Sequence, residues 1–319
     1  VQCPGVQLNY SKHFRTEAIS KKWSKQLLNS NKFSLKSKVR YGKLHEEVMT
    51  KTQVELGTVQ ETLLITLWAR AVEAAKADPI LRDTKSLEIL EQIDCDFSKL
   101  EKAKGTQMGI CLRGLMFDGW VKSFLQENPS GTIVEIGCGL NTRFERVDNG
   151  QVRWFDLDMP DSIEVRKKYF QETERRQFIA SSVLDDSWVD RVKAIGSGPI
   201  MFVAEGVLMY FTEAQVKQVF ALLVENFPGC YLAFDSMSPF MVKNQKQQEA
   251  IKHYSAKFQW GIKDIRDIAK WDDRYQVREV KLMKDAPAEY YQRMGLLNIL
   301  IFSIPPFKNM FRLSLASLG

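Results

Sequence analysis

The stretch TIVEIGCGLNTR, Thr132 to Arg143, runs four strand-forming residues into a turn that holds Gly137 and Gly139. Glycines here remove Cβ atoms that would block a close backbone approach, and they permit positive φ in a tight turn. A dinucleotide site would place a third glycine where Thr142 stands, to let helix and strand pack around a pyrophosphate. Glu135 precedes the turn, and no basic residue lies between it and Arg143. That is a poor seat for a phosphate and a suitable one for a cationic cofactor. S-adenosylmethionine is such a cofactor, with a sulfonium, an ammonium, a ribose diol and an adenine.

Each of those parts has a candidate partner downstream. The stretch WFDLDMP puts Asp156 and Asp158 about twenty residues beyond the turn, where a carboxylate can accept both ribose hydroxyls. Alternation sends both to one side of an ideal strand, so geometry alone leaves the two open. The stretch SSVLDD offers backbone groups and Asp185 to an adenine edge. Glu205 lies in the apolar run FVAEGVLMYF, where an unpaired carboxylate would cost several kcal/mol. On the acceptor side two candidates remain open: Arg143 in the first helical turn either pairs with a local acid or orients an anionic substrate, and Tyr210 at a strand end either packs in the core or lines the acceptor pocket. Cys138, between the glycines, reads as a small buried spacer. No catalytic base is identified. The histidines His13, His45 and His253 lie outside helical reach of one another, so no metal site is expected.

These residues need a frame. After Asn128-Pro129-Ser130-Gly131, short apolar runs alternate with amphipathic ones, the pattern of a mostly parallel α/β sheet covered by helices on both faces. Strands are expected at TIVEI, VRWFDLD, QFIASSV, IMFVAEG and CYLAFDS, with helices near 160–172, 187–195 and 212–226. Pro228-Gly229 is a stop signal for the last of these. Upstream, TLLITLWARAVEAAK, LRDTKSLEILEQI and MGICLRGLMFDGWVKSFL read as three helices. In the tail, helices are expected at 240–256 and near 287–297 and strand-like pieces at 275–282 and 311–317, with no connectivity derivable.

VEIGCGLNTRF, WFDLDMP, SSVLDDSW and AEGVLMYF, in this order and spacing, resemble the leucine carboxyl methyltransferase family, and the upstream helices are similar to its bacterial branch. The resemblance covers roughly residues 55 to 240. It implies a class I methyltransferase, Rossmann-like sheet with an N-terminal helical cap, and O-methyl transfer from S-adenosyl-L-methionine to a polyketide-like small molecule or a carboxylate. It also implies cofactor contacts from Arg113 (to the methionine carboxylate), Gly137, Asp158 (to the ribose), Ser182 and Val183 (around the adenine) and Glu205, which selects Asp158 over Asp156. Asn141 stands where the family often has Asp; it keeps a capping side chain and removes a charge.

The expected organisation is a basic extension over 1–49, a helical cap over 50–130 and a cofactor-binding domain over 131–319. The net charge of +6 is concentrated in residues 1–43, where Glu17 is the single acid, so the folded part offers no basic face for nucleic acid. Five widely spaced cysteines without a CxxC pair, and no apolar signal core or membrane-length apolar run, fit a reducing cytoplasm. The oligomeric state is unspecified. A nicotinamide oxidoreductase and a non-catalytic binding protein are the competing readings.

Overall fold

Apolar residues at three and four spacing build three helices before the first strand: α1 (Glu61–Ala74), α2 (Thr84–Gln92) and α3 (Lys104–Glu127). In this computed structural model, residues 61–98, 100, 103–195, 198–245, 257–305 and 307–319 are described. The expected basic extension over 1–49 lies outside them, as does most of the expected helix over 240–256. Asp83 caps α2, its carboxylate accepting the Ser86 N–H at 3.0 Å. Helix α3 ends at the Asn128–Gly131 punctuation, where the Asn128 carbonyl accepts the Gly131 N–H at 2.8 Å.

Beyond Gly131 the chain alternates: β1 (Thr132–Ile136), α4 (Arg143–Val147), β2 (Arg153–Asp158), α5 (Pro160–Arg166), β3 (Arg176–Ala180), α6 (Val189–Ile195), β4 (Ile200–Ala204), α7 (Glu213–Asn226) and β5 (Cys230–Met237). A capping box between Thr212 and Gln215 starts α7. The tail adds α8 (Pro239–Lys243), β6 (Tyr275–Lys281), α9 (Ala288–Tyr291), α10 (Leu296–Ile301) and β7 (Phe311–Leu318). The seven strands form one sheet in the order β3-β2-β1-β4-β5-β7-β6. Strands β1 to β5 are parallel, and β7 inserts antiparallel between β5 and β6. That insertion answers the connectivity question of the tail. The charged edge strand YQVREVK, with a register shift between Val277 and Glu279, ends the sheet without an apolar edge.

Strand period then assigns faces. Ile133, Trp154, Met201, Val203 and Ala233 pack with Phe117, Trp120, Val121 and Phe124 of α3. Val134, Phe155, Phe202 and Leu232 pack with Val216, Val219, Phe220 and Leu223 of α7 on the other side. By the same alternation Glu135 and Asp235 face α3, and Asp156 and Asp158 share the parity of Trp154. The described helices and the sheet belong to one compact unit. Among the described residues no helix is long and apolar enough to cross a membrane.

Candidate functional site

Strand order reverses between β1 and β4, and the turn after β1 opens at this point on the carboxyl edge of the sheet. Gly137 (φ 64°) and Gly139 (φ 44°) both occupy the left-handed region. A Cβ on Gly137 would strike Val207, and one on Gly139 would strike Leu63 of α1, so the turn lies in direct contact with both. Asp158, at the tip of β2, is tied to the turn: its Oδ2 accepts the Gly139 N–H at 2.7 Å and its Oδ1 accepts the Met159 N–H at 2.7 Å. Burial raises its pKa above the ordinary carboxylate value, and these two N–H groups oppose the rise.

Beside the turn stands a buried charge network. Arg143, at the start of α4, is 1% exposed. Its Nε donates to Asp118 at 2.9 Å, Nη1 donates to Glu135 and Nη2 donates to Glu205. Burial works against the Arg143 charge, but Glu135, Glu205 and Asp118 together raise its pKa above the usual value. Arg113, from α3, donates from Nε to Glu205 at 2.8 Å and from Nη1 to Asp235 at 3.1 Å. Glu205 thus sits between two guanidiniums; burial opposes its charge, yet Arg113 and Arg143 pull its pKa down to about 2. Asp235 also accepts the Gly206 N–H at 2.8 Å, and burial, only partly offset by Arg113, pushes its pKa up to about 6.

A further layer ties the first two helices to this centre. Asp83 receives Arg70 Nε at 3.0 Å, Arg146 Nη1 at 3.1 Å and the Thr142 hydroxyl at 2.5 Å. Arg70 also donates to the Leu140 carbonyl in the turn at 2.7 Å. Geometry separates the two acids of β2. Asp156 is enclosed by Arg166 at 3.0 Å, Arg176 at 2.7 Å and the Trp154 indole N–H at 3.0 Å, so its charge is met within the fold.

Residues 63–224 match the leucine carboxyl methyltransferase family. The tetracenomycin polyketide synthesis O-methyltransferase TcmP of Streptomyces glaucescens is 31% identical over 254 residues, covering 77% of this chain and 93% of that protein. The chain belongs to the leucine carboxyl methyltransferase family. The S-adenosyl-L-methionine-dependent methyltransferase dpfgK of Gibberella zeae is 27% identical over 241 residues, 69% of this chain and 80% of that protein. Among solved structures, a DUF574 family protein from Streptomyces avermitilis superposes with a TM-score of 0.54 at 9% identity, covering 81% of this chain and 97% of that one, a likeness of fold alone. The family resemblance expected from the four motifs is thereby met, and the sheet is the class I methyltransferase sheet expected with it.

Within this family member, the site residues read from the sequence separate into two groups. Gly137, Gly139, Asp158, Arg113 and Glu205 meet at one edge. Ser182 and Val183 follow β3 on that edge: the Ser182 hydroxyl accepts the Leu184 N–H at 3.2 Å, and Val183 is buried in the α7-side core. Asp185 is exposed in the turn before α6, its N–H donating to the Ser182 carbonyl at 3.1 Å. Two residues are met by the protein itself. Of the two roles open to Arg143, the structure shows the pairing with protein acids: it is buried, with all three donor groups engaged by carboxylates. Glu135 was expected beside a cofactor cation; its cation is Arg143, and Asn141 Nδ2 completes the same oxygen at 2.9 Å. Tyr210 packs its ring 5.4 Å from Phe258. Cys138 is buried, and burial pushes its thiol well up, as fits a spacer.

Sequence reasoning missed Asp235, Asp118, Asp83, Arg70 and Arg146. The rule that singled out Glu205, a carboxylate in an apolar run, applies equally to Asp235 in CYLAFDS and Asp118 in GLMFDGW. The Asp83 cluster had no such signal, because its members are distant in sequence and individually ordinary. Among the described residues no group of three or more His, Cys, Asp or Glu is arranged to hold a metal ion.

Proposed function

We propose that this protein is an S-adenosylmethionine-dependent O-methyltransferase acting on a small-molecule acceptor. The observation that carries the reading is the convergence of the glycine turn, Asp158, Glu205 and Arg113 on the switch point of the sheet, in a chain of this family. The residues present fit the cofactor. Asp158 lines the turn and suits a ribose diol, Arg113 suits the methionine carboxylate, and the Ser182–Val183 turn suits the adenine, while Glu205, whose two oxygens accept from Arg113 and Arg143, holds Arg113 in position. When bound, the cofactor supplies a methyl group on a positively charged sulfur.

The chain's own contribution is placement. The chain itself positions Arg113, because Glu205 and Asp235 fix two of its nitrogens. Leu63 and Val207 pack directly against the two glycines of the turn. An acceptor oxygen that is already ionised at neutral pH, a carboxylate or an acidic phenol, needs no base and suits this site. TcmP, by its name, acts in polyketide synthesis, and a polyketide-like acid or phenol is the acceptor class proposed for this chain.

Calorimetric titration with S-adenosylhomocysteine and, separately, with NADH tests the reading, followed by transfer of a labelled methyl group to a panel of hydroxy-aromatic acids. S-adenosylhomocysteine should bind and NADH should not. Binding of NADH alone would overturn the proposal in favour of an oxidoreductase; S-adenosylhomocysteine binding with no labelled product from any acid would favour a non-catalytic binding protein.

A further inference from the structure

Three consecutive carbonyls of the glycine turn end on two buried guanidiniums. Arg166, the last residue of α5, donates from Nη1 to the Gly139 carbonyl at 2.7 Å and from Nη2 to the Asn141 carbonyl at 3.0 Å. Arg70 of α1 donates from Nη2 to the Leu140 carbonyl between them, also at 2.7 Å. The Arg166 fork is itself held: Asp156 stands 3.0 Å from Nη2, and the guanidinium carbon lies 4.2 Å from the centre of the Phe170 ring.

Glycines at positive φ have many backbone conformations open to them, so this turn keeps one shape only where other groups impose it. In a trans peptide the C=O and N–H point opposite ways in one plane, so holding one oxygen also sets the N–H of the next residue. Arg166 and Arg70 thereby orient three successive peptide planes, from Gly139–Leu140 to Asn141–Thr142. Gly139 links them to the ligand side: its carbonyl accepts from Arg166, while its N–H donates to Asp158 Oδ2 at 2.7 Å. We propose that Arg166 and Arg70 are positioning residues for the cofactor, holding the turn in the shape that aims the Asp158 carboxylate at the ribose. The inference rests on the methyltransferase reading and adds to it two residues that act on the site through the backbone. A planar fork can grip two carbonyls two residues apart, whereas a lysine ammonium is one compact charge.

Arg176 supplies a matched control. It shares Asp156 with Arg166, at 2.7 Å, and lies 4.9 Å from the same Phe170 ring, but its hydrogen bonds go to Asp156 and Glu145 rather than to the turn. Arg166→Met and Arg176→Met each leave Asp156 one arginine, and both should lower the urea midpoint. Only Arg166→Met should also weaken S-adenosylhomocysteine, by about tenfold in calorimetry where both variants are folded, and speed hydrogen exchange across residues 137–142. Arg166→Lys and Arg70→Lys, which keep a charge beside Asp156 and Asp83, should fold and still weaken the ligand severalfold. They carry the comparison if Arg166→Met does not fold. Equal affinity in Arg166→Met and Arg176→Met, equal exchange in the two, or wild-type affinity in both lysine variants would each overturn the assignment. Failure of wild type to bind S-adenosylhomocysteine would overturn the methyltransferase reading instead, while exchange in the ligand-free variants still judges whether the arginines hold the turn.

Discussion

Arg143→Met removes one buried cation and keeps an apolar side chain of similar reach over Phe117, whose ring lies 5.5 Å from the guanidinium. Three carboxylates lose a partner, but unequally. Asp118 retains Arg146, through Nε at 2.6 Å and Nη2 at 3.0 Å, and Glu205 retains Arg113 at 2.8 Å. Glu135 retains only the neutral Asn141 amide, and its Oε2 is buried with no hydrogen-bond partner. The expected loss is therefore that of one uncompensated buried charge, about 3–5 kcal/mol at pH 7.5. Burial already raises the Glu135 pKa, against Arg143, and removing Arg143 raises it further. An acid whose folded-state pKa lies above its unfolded value binds extra protons when folded, so its penalty shrinks as pH falls. The stability gap between wild type and Arg143→Met should narrow from pH 7.5 to 5, and Arg143→Met/Glu135→Gln should recover most of the loss. Urea unfolding followed by tryptophan fluorescence measures all four corners of the cycle. A single-variant loss below about 1 kcal/mol, or one independent of pH and of Glu135→Gln, would refute the reasoning.

Asp158→Ala should weaken S-adenosylhomocysteine by about tenfold to a hundredfold in calorimetry, through loss of the charge-assisted ribose contact proposed for it. Asp156→Asn should instead lower the urea midpoint through Arg166 and Arg176 while the protein that remains folded still binds. The Asp235 pKa of about 6 lies above the unfolded carboxylate value, so this residue makes the fold relatively more stable as pH falls from about 7 toward 4. Asp235→Asn should flatten that part of the stability–pH curve, and S-adenosylhomocysteine affinity should drop because Arg113 loses one of its two anchors. Gly139→Ala, at φ 44°, forces a side chain into the left-handed region and against Leu63; about 1–2 kcal/mol and a melting temperature several degrees lower are expected by scanning calorimetry.

What could be read from the chain alone was set by short-range physics. A period of two places Ile133 and Glu135 on one side of β1 and Val134 on the other, a period near 3.6 marks α3, and a glycine pair after a strand announces a turn with positive φ. Those patterns need only a residue and its near neighbours, and they located the five parallel strands, the turn and the acids at their tips. The partners of those acids lay beyond the same reasoning. Arg143 meets Glu205 across 62 positions, Arg113 meets Glu205 across 92, and Arg113 meets Asp235 across 122. Whether Glu135 and Arg143 serve a ligand or each other depends on which helix packs on which face of the sheet. Likewise, FRLSLASL states that it is a strand but not that it slots between β5 and β6. Sequence fixes the local conformations and the supply of charges; only packing, which excludes water and brings distant charges within a few ångströms, decides which of them neutralise one another and which remain for a ligand.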